Sequence, residues 1–321
     1  MTRHVEVAAA SRLHFGLFGV GGCPDAKPGG VGAMIDNPRL VVRATDADRF
    51  TIAGAHAERT QRVAQRVAEA CLGGRLPALQ LETVQSPELH TGLGVGTQHA
   101  LAVAACMLEA LALPRPAVGK LAEIAGRGMR SAIGSHGFDR GGLIVDEGCA
   151  GPGLAPMAAR VALPSQWRFV LSCEESPPGL AGADERHAFT RLSRTPSATV
   201  DRLRRLALGQ LAPAAEAVAF HRFAEALHAY GEEAGRCFAE VQGGAFASPA
   251  IERRIDWLRE RGVVGCGQSS WGPTVFALAP DADSASGLAA QLVNSGVAPT
   301  RVKIAAPANE GAAVSTDRRP T

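Results

Sequence analysis

Apolar and polar positions along this chain follow two periods, one typical of strands and one typical of helices. The strongest helical period covers residues 97–113, where apolar side chains recur three and four positions apart. Further helices are predicted at residues 59–72, 118–127, 200–211, 216–235, 249–261 and 283–296. Short strands are predicted at residues 5–9, 40–43, 50–53, 79–84, 143–145, 167–172, 274–278 and 301–305. The pattern therefore indicates a mixed α and β protein.

Glycine and proline divide this pattern into larger units. Residues 19–32 hold six glycines and two prolines, which is typical of a loop or hairpin connection, and residues 134–142 form a second glycine-rich stretch. Residues 150–164 carry Gly and Pro but few charges, so the domain boundary is predicted there. We therefore expect an N-terminal domain over residues 1–155, a C-terminal domain over residues 156–306, and a polar, frayed tail over residues 307–321.

Composition narrows the classes of function. Of the 321 residues, 46% are hydrophobic and 20% are charged, and the net charge of +2 does not favour nucleic acid or an anionic membrane as a partner. The seven cysteines are spread singly without C-x-x-C spacing, which favours a reduced, cytoplasmic protein. No signal peptide, membrane span or carboxylate cluster for a protein-bound metal is apparent in the sequence.

A glycine loop, residues 92–98, lies between the predicted strand at 79–84 and the strongest helix. Glycines let the backbone approach an anion closely, and the first N–H groups of the helix favour negative charge. The alternative is that these glycines only make a tight turn. Neither the P-loop nor the dinucleotide fingerprint fits this spacing. The candidate anion-binding residues are His90, Gly92, Leu93, Gly94, Val95, Gly96, Thr97 and Gln98.

The loop resembles the phosphate loop of the galactokinase, homoserine kinase and mevalonate kinase (GHMP) superfamily. Those kinases usually carry two serines after G-L-G, whereas this chain has Val95 and Gly96. Val95 has no hydroxyl with which to help hold a magnesium–nucleotide complex. An ATP-dependent small-molecule kinase of this fold is therefore the second hypothesis, and a binding protein without activity is the third.

Six segments in chain order are similar to a non-kinase branch of that superfamily, the β-ribofuranosylaminobenzene 5′-phosphate synthases. They are residues 11–17, 90–98, 126–134, 138–146, 179–186 and 267–274. The resemblance implies an α+β, two-domain GHMP-kinase-like fold, with a ribosomal-protein-S5-like N-terminal domain and a ferredoxin-like C-terminal domain. The active site would lie in the cleft between the two domains, and a homodimer is implied.

The reaction that the resemblance implies joins phosphoribosyl pyrophosphate to 4-aminobenzoate, with release of pyrophosphate and CO2, on the route to tetrahydromethanopterin. The enzyme would be a decarboxylating phosphoribosyltransferase without a tightly bound cofactor. Magnesium would accompany the pyrophosphate ester. Val95 and Asp139 depart from the family pattern, which has a small hydroxyl residue and more often Glu at these positions.

Chemistry assigns roles to the remaining motif residues. Arg127 and Arg130, with Ser131 beside them, are three positions apart, which on a helix places both on one face to grip a phosphate or carboxylate. Asp139, between glycines, is the first candidate to stabilise positive charge on the ribose, although it would also suit a turn cap. The second candidates are Asp184 and Glu185.

Arg12 and His14 alternate with apolar residues, so a strand would point both to one side, where they could orient substrate. His14 could also assist proton transfer, although a lone strand histidine is more often structural. The segment Gln268, Ser269, Ser270 and Trp271 is expected to fold back onto the glycine loop. Ser269 and Ser270 would close the site. Trp271 would pack against the aromatic ring or serve as a core anchor.

Overall fold

The computed structural model describes residues 2–21, 26–128, 130–174 and 192–319. Its two sheets and surrounding helices confirm the predicted α+β fold. The predicted helix at residues 97–113 is present as α2, Val95–Ala110. Because α2 is apolar on nearly every face, it is buried behind the first sheet, against strands β1 and β2.

The first sheet has the order β11-β1-β2-β4-β3, and β5 joins it by pairing with β2 and β6. All of its pairings are antiparallel except that of β3 with β4. Its strands are β1 (Thr2–Leu17), β2 (Ala26–Asp46), β3 (Thr51–Gly54), β4 (Leu79–Gln85), β5 (Leu143–Ala150), β6 (Met157–Val161) and β11 (Ala313–Arg319).

The second sheet is antiparallel throughout, in the order β10-β7-β9-β8. Its strands are β7 (Arg168–Cys173), β8 (Cys266–Gln268), β9 (Thr274–Ala279) and β10 (Val302–Ala305). One hydrophobic core joins it to the first sheet, because Leu13 of β1 and Phe276 of β9 belong to the same cluster of buried residues. The two sheets therefore hold each other in a fixed relation.

The helices cover both sheets. Besides α2 they are α1 (Ala57–Cys71), α3 (Val118–Ile124), α4 (Ile133–Arg140), α5 (Ser197–Leu206), α6 (Ala212–Glu216), α7 (Phe220–Arg236), α8 (Ala239–Gln242), α9 (Pro249–Glu260) and α10 (Ala282–Asn294). A π-helical turn, Ala207–Leu211, links α5 to α6, and a 3-10 turn, Pro299–Arg301, precedes β10. No helix of the described residues is long and apolar enough to cross a membrane.

The structure corrects one expectation about local structure and refines others. The tail predicted to fray contains β11, which pairs in continuous register with β1 from Thr2 to Ala8. For residues 19–32, predicted as a loop or hairpin connection, the hairpin alternative agrees with the antiparallel pairing of β1 with β2, although β2 already begins at Ala26. The second glycine-rich stretch, residues 134–142, contains most of α4. Strand β6, which the sequence placed beyond the boundary at residue 155, pairs with β5 of the first sheet.

Candidate active site

A cleft of about 630 Å³ opens between the first turn of α2 and the end of α7. Four arginines and two histidines line it, and no carboxylate does so among the described residues. The lining side chains with polar or aromatic groups are Arg12, His14, Phe15, Arg59, His90, Thr97, Arg127, Arg130, Ser131, Phe238, Gln242, Phe246, Gln268, Ser270 and Trp271. A cleft of this charge is suited to a substrate with several negative groups.

The glycine loop forms one wall of the cleft. Gly94 is the residue before α2 and has φ of 68°, a left-handed conformation that favours glycine. No side chain caps the helix. The N–H groups of Val95 and Gly96 donate no hydrogen bond to a described residue. The first turn of α2 therefore presents free backbone donors and the positive end of its dipole to the cleft.

Strand β1 brings Arg12 and His14 to the same cleft. The backbone N–H of Arg12 donates to the carbonyl of Leu93 over 3.0 Å, which ties β1 to the glycine loop. The Arg12 side chain lies against Gly94, since a Cβ added there would be 3.0 Å from Arg12 Nε. Glycine at position 94 thus allows both the left-handed turn and the close approach of this guanidinium.

His14 is almost completely buried beside Arg12. Burial lowers the pKa of His14 well below its usual value, and the charge of Arg12 lowers this pKa further. His14 is therefore a neutral imidazole at neutral pH, which can accept a proton but holds it weakly. Its backbone is fully engaged, because its N–H donates to Ser269 Oγ and its carbonyl accepts from the Ser270 N–H.

Arg127 and Arg130 also line the cleft, but the expected helix does not carry them. Helix α3 ends at Ile124, and Gly126 and Gly128 adopt left-handed conformations that turn the chain into a loop. The predicted extension of this helix to residue 127 is therefore wrong. The cleft gathers both arginines through this loop, and helical spacing has no part in it.

Thr97, in the first turn of α2, fixes Arg127. Its hydroxyl oxygen accepts hydrogen bonds from Nη2 of Arg127 over 3.0 Å and from Nε over 3.3 Å. The guanidinium is thereby held over the helix entrance. The sequence predicted that Thr97 would bind the anion directly, whereas in the structure its hydroxyl orients Arg127.

Asp146 was not predicted, and it supports the cleft from below. This buried carboxylate accepts hydrogen bonds from the Ala132 N–H over 2.8 Å, the Gly148 N–H over 2.8 Å and the Ser131 hydroxyl over 3.3 Å. Burial raises the pKa of Asp146, and these hydrogen bonds oppose that rise. The result is a fixed orientation for Ser131, which lines the cleft. The sequence signal of Asp146 was its place at the end of the family-like segment 138–146.

Ser269 joins three parts of the chain. Its buried hydroxyl donates to the carbonyl of Gly92 over 2.8 Å and accepts from the His14 N–H over 3.0 Å. Position 272 must be glycine because the loop backbone at Gly92 leaves no space for a Cβ. The segment after β8 thus folds back onto the glycine loop. Because its hydroxyl is used in this joint, Ser269 does not line the cleft.

The other residues of this segment have separate places. Gln268 bonds the Ala247 N–H over 2.9 Å and the Gly272 carbonyl over 3.3 Å, which orders the adjoining loop. Ser270 adopts a left-handed conformation, with φ of 56°, at the cleft wall. Trp271 stacks edge-to-face with Phe238, with 5.1 Å between the ring centroids.

Phe238, Trp271 and Leu17 belong to one apolar cluster that lines the cleft, and Phe246 and Ala234 also line it. Arg12, Arg59, Arg127 and the free amides lie at the glycine loop. The cleft therefore has a cationic part and an aromatic part within one cavity. This division suits a substrate pair of which one member is anionic and the other is a flat ring.

Two residues of the glycine-loop prediction differ in exposure. Gln98 is buried and donates to the carbonyl of Gly134 over 2.8 Å, so it packs α2 against α4 and does not line the cleft. His90 is exposed at the cleft mouth, with φ of 65°.

Asp139 does not reach the cleft. It lies in the last turn of α4, where its carboxylate is 3.4 Å from Arg140 Nε and 4.0 Å from Arg115 Nη2. The flanking glycines serve packing instead, because Gly137 adjoins Met34 and Gly141 ends the helix with φ of 63°. The second candidates, Asp184 and Glu185, lie outside the described residues, as does the motif at residues 179–186.

Arg59 was missed by the sequence analysis. It belongs to the first turns of α1, where a charged residue between polar neighbours is typical of a solvated helix face. The structure instead places its side chain on the cleft beside Gly96. No group of acidic, histidine or cysteine side chains among the described residues is arranged to hold a metal ion.

Known proteins with related sequences share one name. β-Ribofuranosylphenol 5′-phosphate synthase of Archaeoglobus fulgidus is 30% identical to this chain over 296 residues, 85% of this chain and 87% of the relative. The protein of that name from Methanothermobacter thermautotrophicus is also 30% identical, over 97% of this chain and 99% of its own. A family model described as GHMP kinases C terminal matches residues 211–298.

Solved structures with the same fold include kinases and a decarboxylase. Mevalonate diphosphate decarboxylase from Staphylococcus aureus superposes with a TM-score of 0.67 at 14% identity, over 98% of each chain. Mevalonate-3-kinase from Thermoplasma acidophilum, bound to mevalonate 3-phosphate and ADP, gives a TM-score of 0.68 at 14% identity over 100% of each chain. At such low identity these likenesses establish the GHMP fold alone.

Proposed function

The chain belongs to the β-ribofuranosylphenol 5′-phosphate synthase family, and we propose that it is a decarboxylating phosphoribosyltransferase that acts on phosphoribosyl pyrophosphate and a para-substituted benzoate. The observation that carries the proposal is the cleft itself, with arginines and free amides in one part and aromatic side chains in the other. The route to tetrahydromethanopterin, the homodimer and the cytoplasmic location that the resemblance implies are part of this proposal.

The donor carries two anionic groups, a 5-phosphate and a pyrophosphate. The pyrophosphate would lie at the glycine loop, against the N–H groups of Val95 and Gly96 and under Arg127. Arg130 and Ser131 remain for the second anionic group, the 5-phosphate or the carboxylate of the acceptor. Held in this way, the anomeric carbon of the ribose would face the aromatic end of the cleft.

The reaction balances without a redox partner. The bond between the anomeric carbon and oxygen breaks, and pyrophosphate leaves with the electron pair. The ring carbon that bears the carboxylate forms the new carbon–carbon bond. CO2 then departs, and the electrons of its bond return to the ring. Arginines that bind the developing charge on pyrophosphate more tightly than the bound ester would accelerate the first step.

The para substituent of the acceptor must donate electrons to the ring. The resemblance to the aminobenzene synthases implies an amino group and thus 4-aminobenzoate, whereas the names of the relatives specify a phenol. A phenol would form if the acceptor were 4-hydroxybenzoate. His14 is a neutral imidazole at the cleft, and it could accept a proton from such a hydroxyl. The ring would lie against Trp271 and Phe238.

Positive charge on the ribose meets no described carboxylate in this cleft. We infer that the departing pyrophosphate itself supplies the compensating negative charge, since it lies beside the same carbon. Magnesium would enter with the pyrophosphate ester, because the described residues offer no site of their own for it.

The test is release of labelled CO2. The protein is incubated with phosphoribosyl pyrophosphate, magnesium and carboxyl-labelled 4-aminobenzoate or 4-hydroxybenzoate, and labelled gas and pyrophosphate are measured. We expect equal amounts of both products with at least one acid. The preferred acid identifies the acceptor.

No gas with either acid at several magnesium concentrations would overturn the synthase proposal. A parallel incubation of candidate alcohols with ATP tests the kinase hypothesis, which the absence of a hydroxyl at Val95 disfavours. Binding of phosphoribosyl pyrophosphate without any turnover would support the third hypothesis, a binding protein.

A further inference from the structure

Arg59 is placed at the glycine loop without a partner of its own. It lies two residues into α1, and its side chain lines the cleft. Its backbone N–H donates to the carbonyl of His56, but its guanidinium makes no ion pair or hydrogen bond with the described residues. A half-buried guanidinium without a carboxylate is an expensive arrangement unless a ligand supplies the negative charge.

Gly96 shows where that ligand would lie. A Cβ added at this position would be 3.2 Å from Arg59 Nη1 and 3.7 Å from Arg127 Nη2, and apart from its own helix it would meet no other described heavy atom within 4 Å. Both guanidinium groups therefore lie within 4 Å of the same point at the first turn of α2. The space between them is kept open by the absence of one methyl group.

Backbone conformation does not explain the glycine at position 96. Gly96 is within α2 and is not among the glycines with positive φ. Alanine would fit the conformation and is intrinsically the better helix former. Access to the space beside the two arginines is the physical reason that remains for glycine here.

We propose that Arg59 is a substrate-binding residue that grips the diphosphate of the donor together with Arg127, across Gly96. Arg59 reaches the diphosphate from α1, and Arg127 reaches it from the loop after α3. The amides of Val95 and Gly96 bind the diphosphate from the first turn of α2. The identity of the ligand rests on the proposed function. The clamp itself requires only an anion of this size and charge.

The test measures binding of inorganic pyrophosphate, with magnesium, by isothermal titration calorimetry. Arg59→Gln should weaken binding about 10- to 100-fold, as expected for loss of a charge-assisted hydrogen bond. Arg62→Gln is the matched control one turn along α1. Arg62 is 64% exposed and 3.7 Å from Glu58, and its replacement should change affinity by less than about twofold.

The variant Gly96→Ala tests separately whether the open space at position 96 is needed for binding. It should weaken pyrophosphate binding at least as much as Arg59→Gln, while the melting temperature stays unchanged or rises. A merely structural role for Gly96 would give the opposite pair of results, a lower melting temperature with unchanged affinity. Arg59→Gln should likewise leave the melting temperature unchanged, because no intramolecular bond is lost.

Several results would overturn the clamp. They are an affinity of Arg59→Gln within twofold of the unmodified protein, equal losses for Arg59→Gln and Arg62→Gln, or no measurable pyrophosphate binding by the unmodified protein. The proposed function fails separately. If no CO2 is released but Arg59→Gln still weakens pyrophosphate binding, the clamp proposal stands and the synthase proposal fails. If Arg59→Gln keeps full synthase activity, the synthase proposal stands and the clamp proposal fails.

Discussion

Residues 92–96 and residues 134–142 are both rich in glycine, and each adjoins the first turn of a helix packed behind the first sheet. From sequence alone both suggest a backbone that presents groups to a ligand. In the structure the first stretch lines the cleft, whereas the second forms most of α4, which packs against β2, and does not line the cleft. The surroundings of each glycine explain the difference.

Around residues 92–96 the glycines border functional groups. Gly94 lies against the Arg12 side chain, and Gly96 has two guanidinium groups as its nearest neighbours. Around residues 134–142 the neighbours are the protein's own packing atoms. A Cβ at Gly137 would be 2.7 Å from Met34 Cγ, and one at Gly142 would be 2.6 Å from the Val161 carbonyl oxygen.

Glycine therefore has two uses in this molecule. In the second stretch it lets a short helix pack closely against β2 and then end sharply. In the first it leaves space and backbone donors for an anion. A glycine-rich motif indicates a binding site only when the space it opens faces polar groups and not the packing atoms of the protein's own core.

The largest difference between the two stretches is expected when one charged side chain is neutralised at each of them. Arg12→Gln removes the guanidinium packed on Gly94, and we expect kcat/KM for phosphoribosyl pyrophosphate to fall about 100-fold or more. Asp139→Asn, in the second stretch, should change it by less than about threefold, because the two arginines paired with its carboxylate, Arg115 and Arg140, lie outside the cleft. Steady-state kinetics with either benzoate measure both variants. A larger loss in Asp139→Asn than in Arg12→Gln would reverse the assignment of the two stretches.

A second prediction concerns stability. Gly137→Ala inserts a methyl group against Met34 in a packed interior, so we expect the free energy of unfolding to fall by about 1–3 kcal/mol. Affinity for pyrophosphate should be unchanged, because the cleft is not touched. Denaturant unfolding and calorimetry of the same preparation give the two quantities. Unchanged stability with reduced affinity would show that the second stretch contributes to the site after all.

The sequence predicted those parts of the fold and site that depend on local pattern. The buried stripe of α2 and the alternation of Arg12 with His14 both follow from periodicity, and the structure has a helix and a cleft-facing strand there. The fold-back of residues 268–272 onto the glycine loop came from the family resemblance, and Ser269 makes that contact.

Features that depend on distant parts of the chain were not predictable. Strand β11 is polar and largely exposed, and only its pairing with β1 makes it a strand. Arg127 lines the cleft from a loop that follows the end of α3 at Ile124, so the helical spacing from which it was selected does not exist in the structure. Arg59 carries no local signal, since its role arises from the approach of α1 to Gly96.

The smallest predicted effect concerns the rigid support behind the glycine loop. His99, one turn beyond Gly96 on α2, is buried, and its Nε2 is within 3.1 Å of Thr83 Oγ1 and 3.3 Å of Thr60 Oγ1. Burial lowers its pKa to about 4, with smaller contributions from the charges of His56 and Arg59. Between pH 6.5 and about 4 the unfolded chain therefore binds a proton at this histidine that the folded chain does not.

Stability from this histidine is complete above pH 6.5 and declines as the pH falls, by about 1.4 kcal/mol per pH unit until the folded pKa is reached. When the pH falls from 7.5 to 5.5, the free energy of unfolding should decrease by about 1 kcal/mol more in the unmodified protein than in His99→Gln. Denaturant unfolding at each pH measures this difference. His221→Gln, on the exposed face of α7, is the control and should keep the original pH dependence. If His99→Gln also keeps it, the support behind the loop does not depend on a neutral His99. The rigidity of the second turn of α2, in contrast to its open first turn, would then have to come from contacts other than those of a neutral His99.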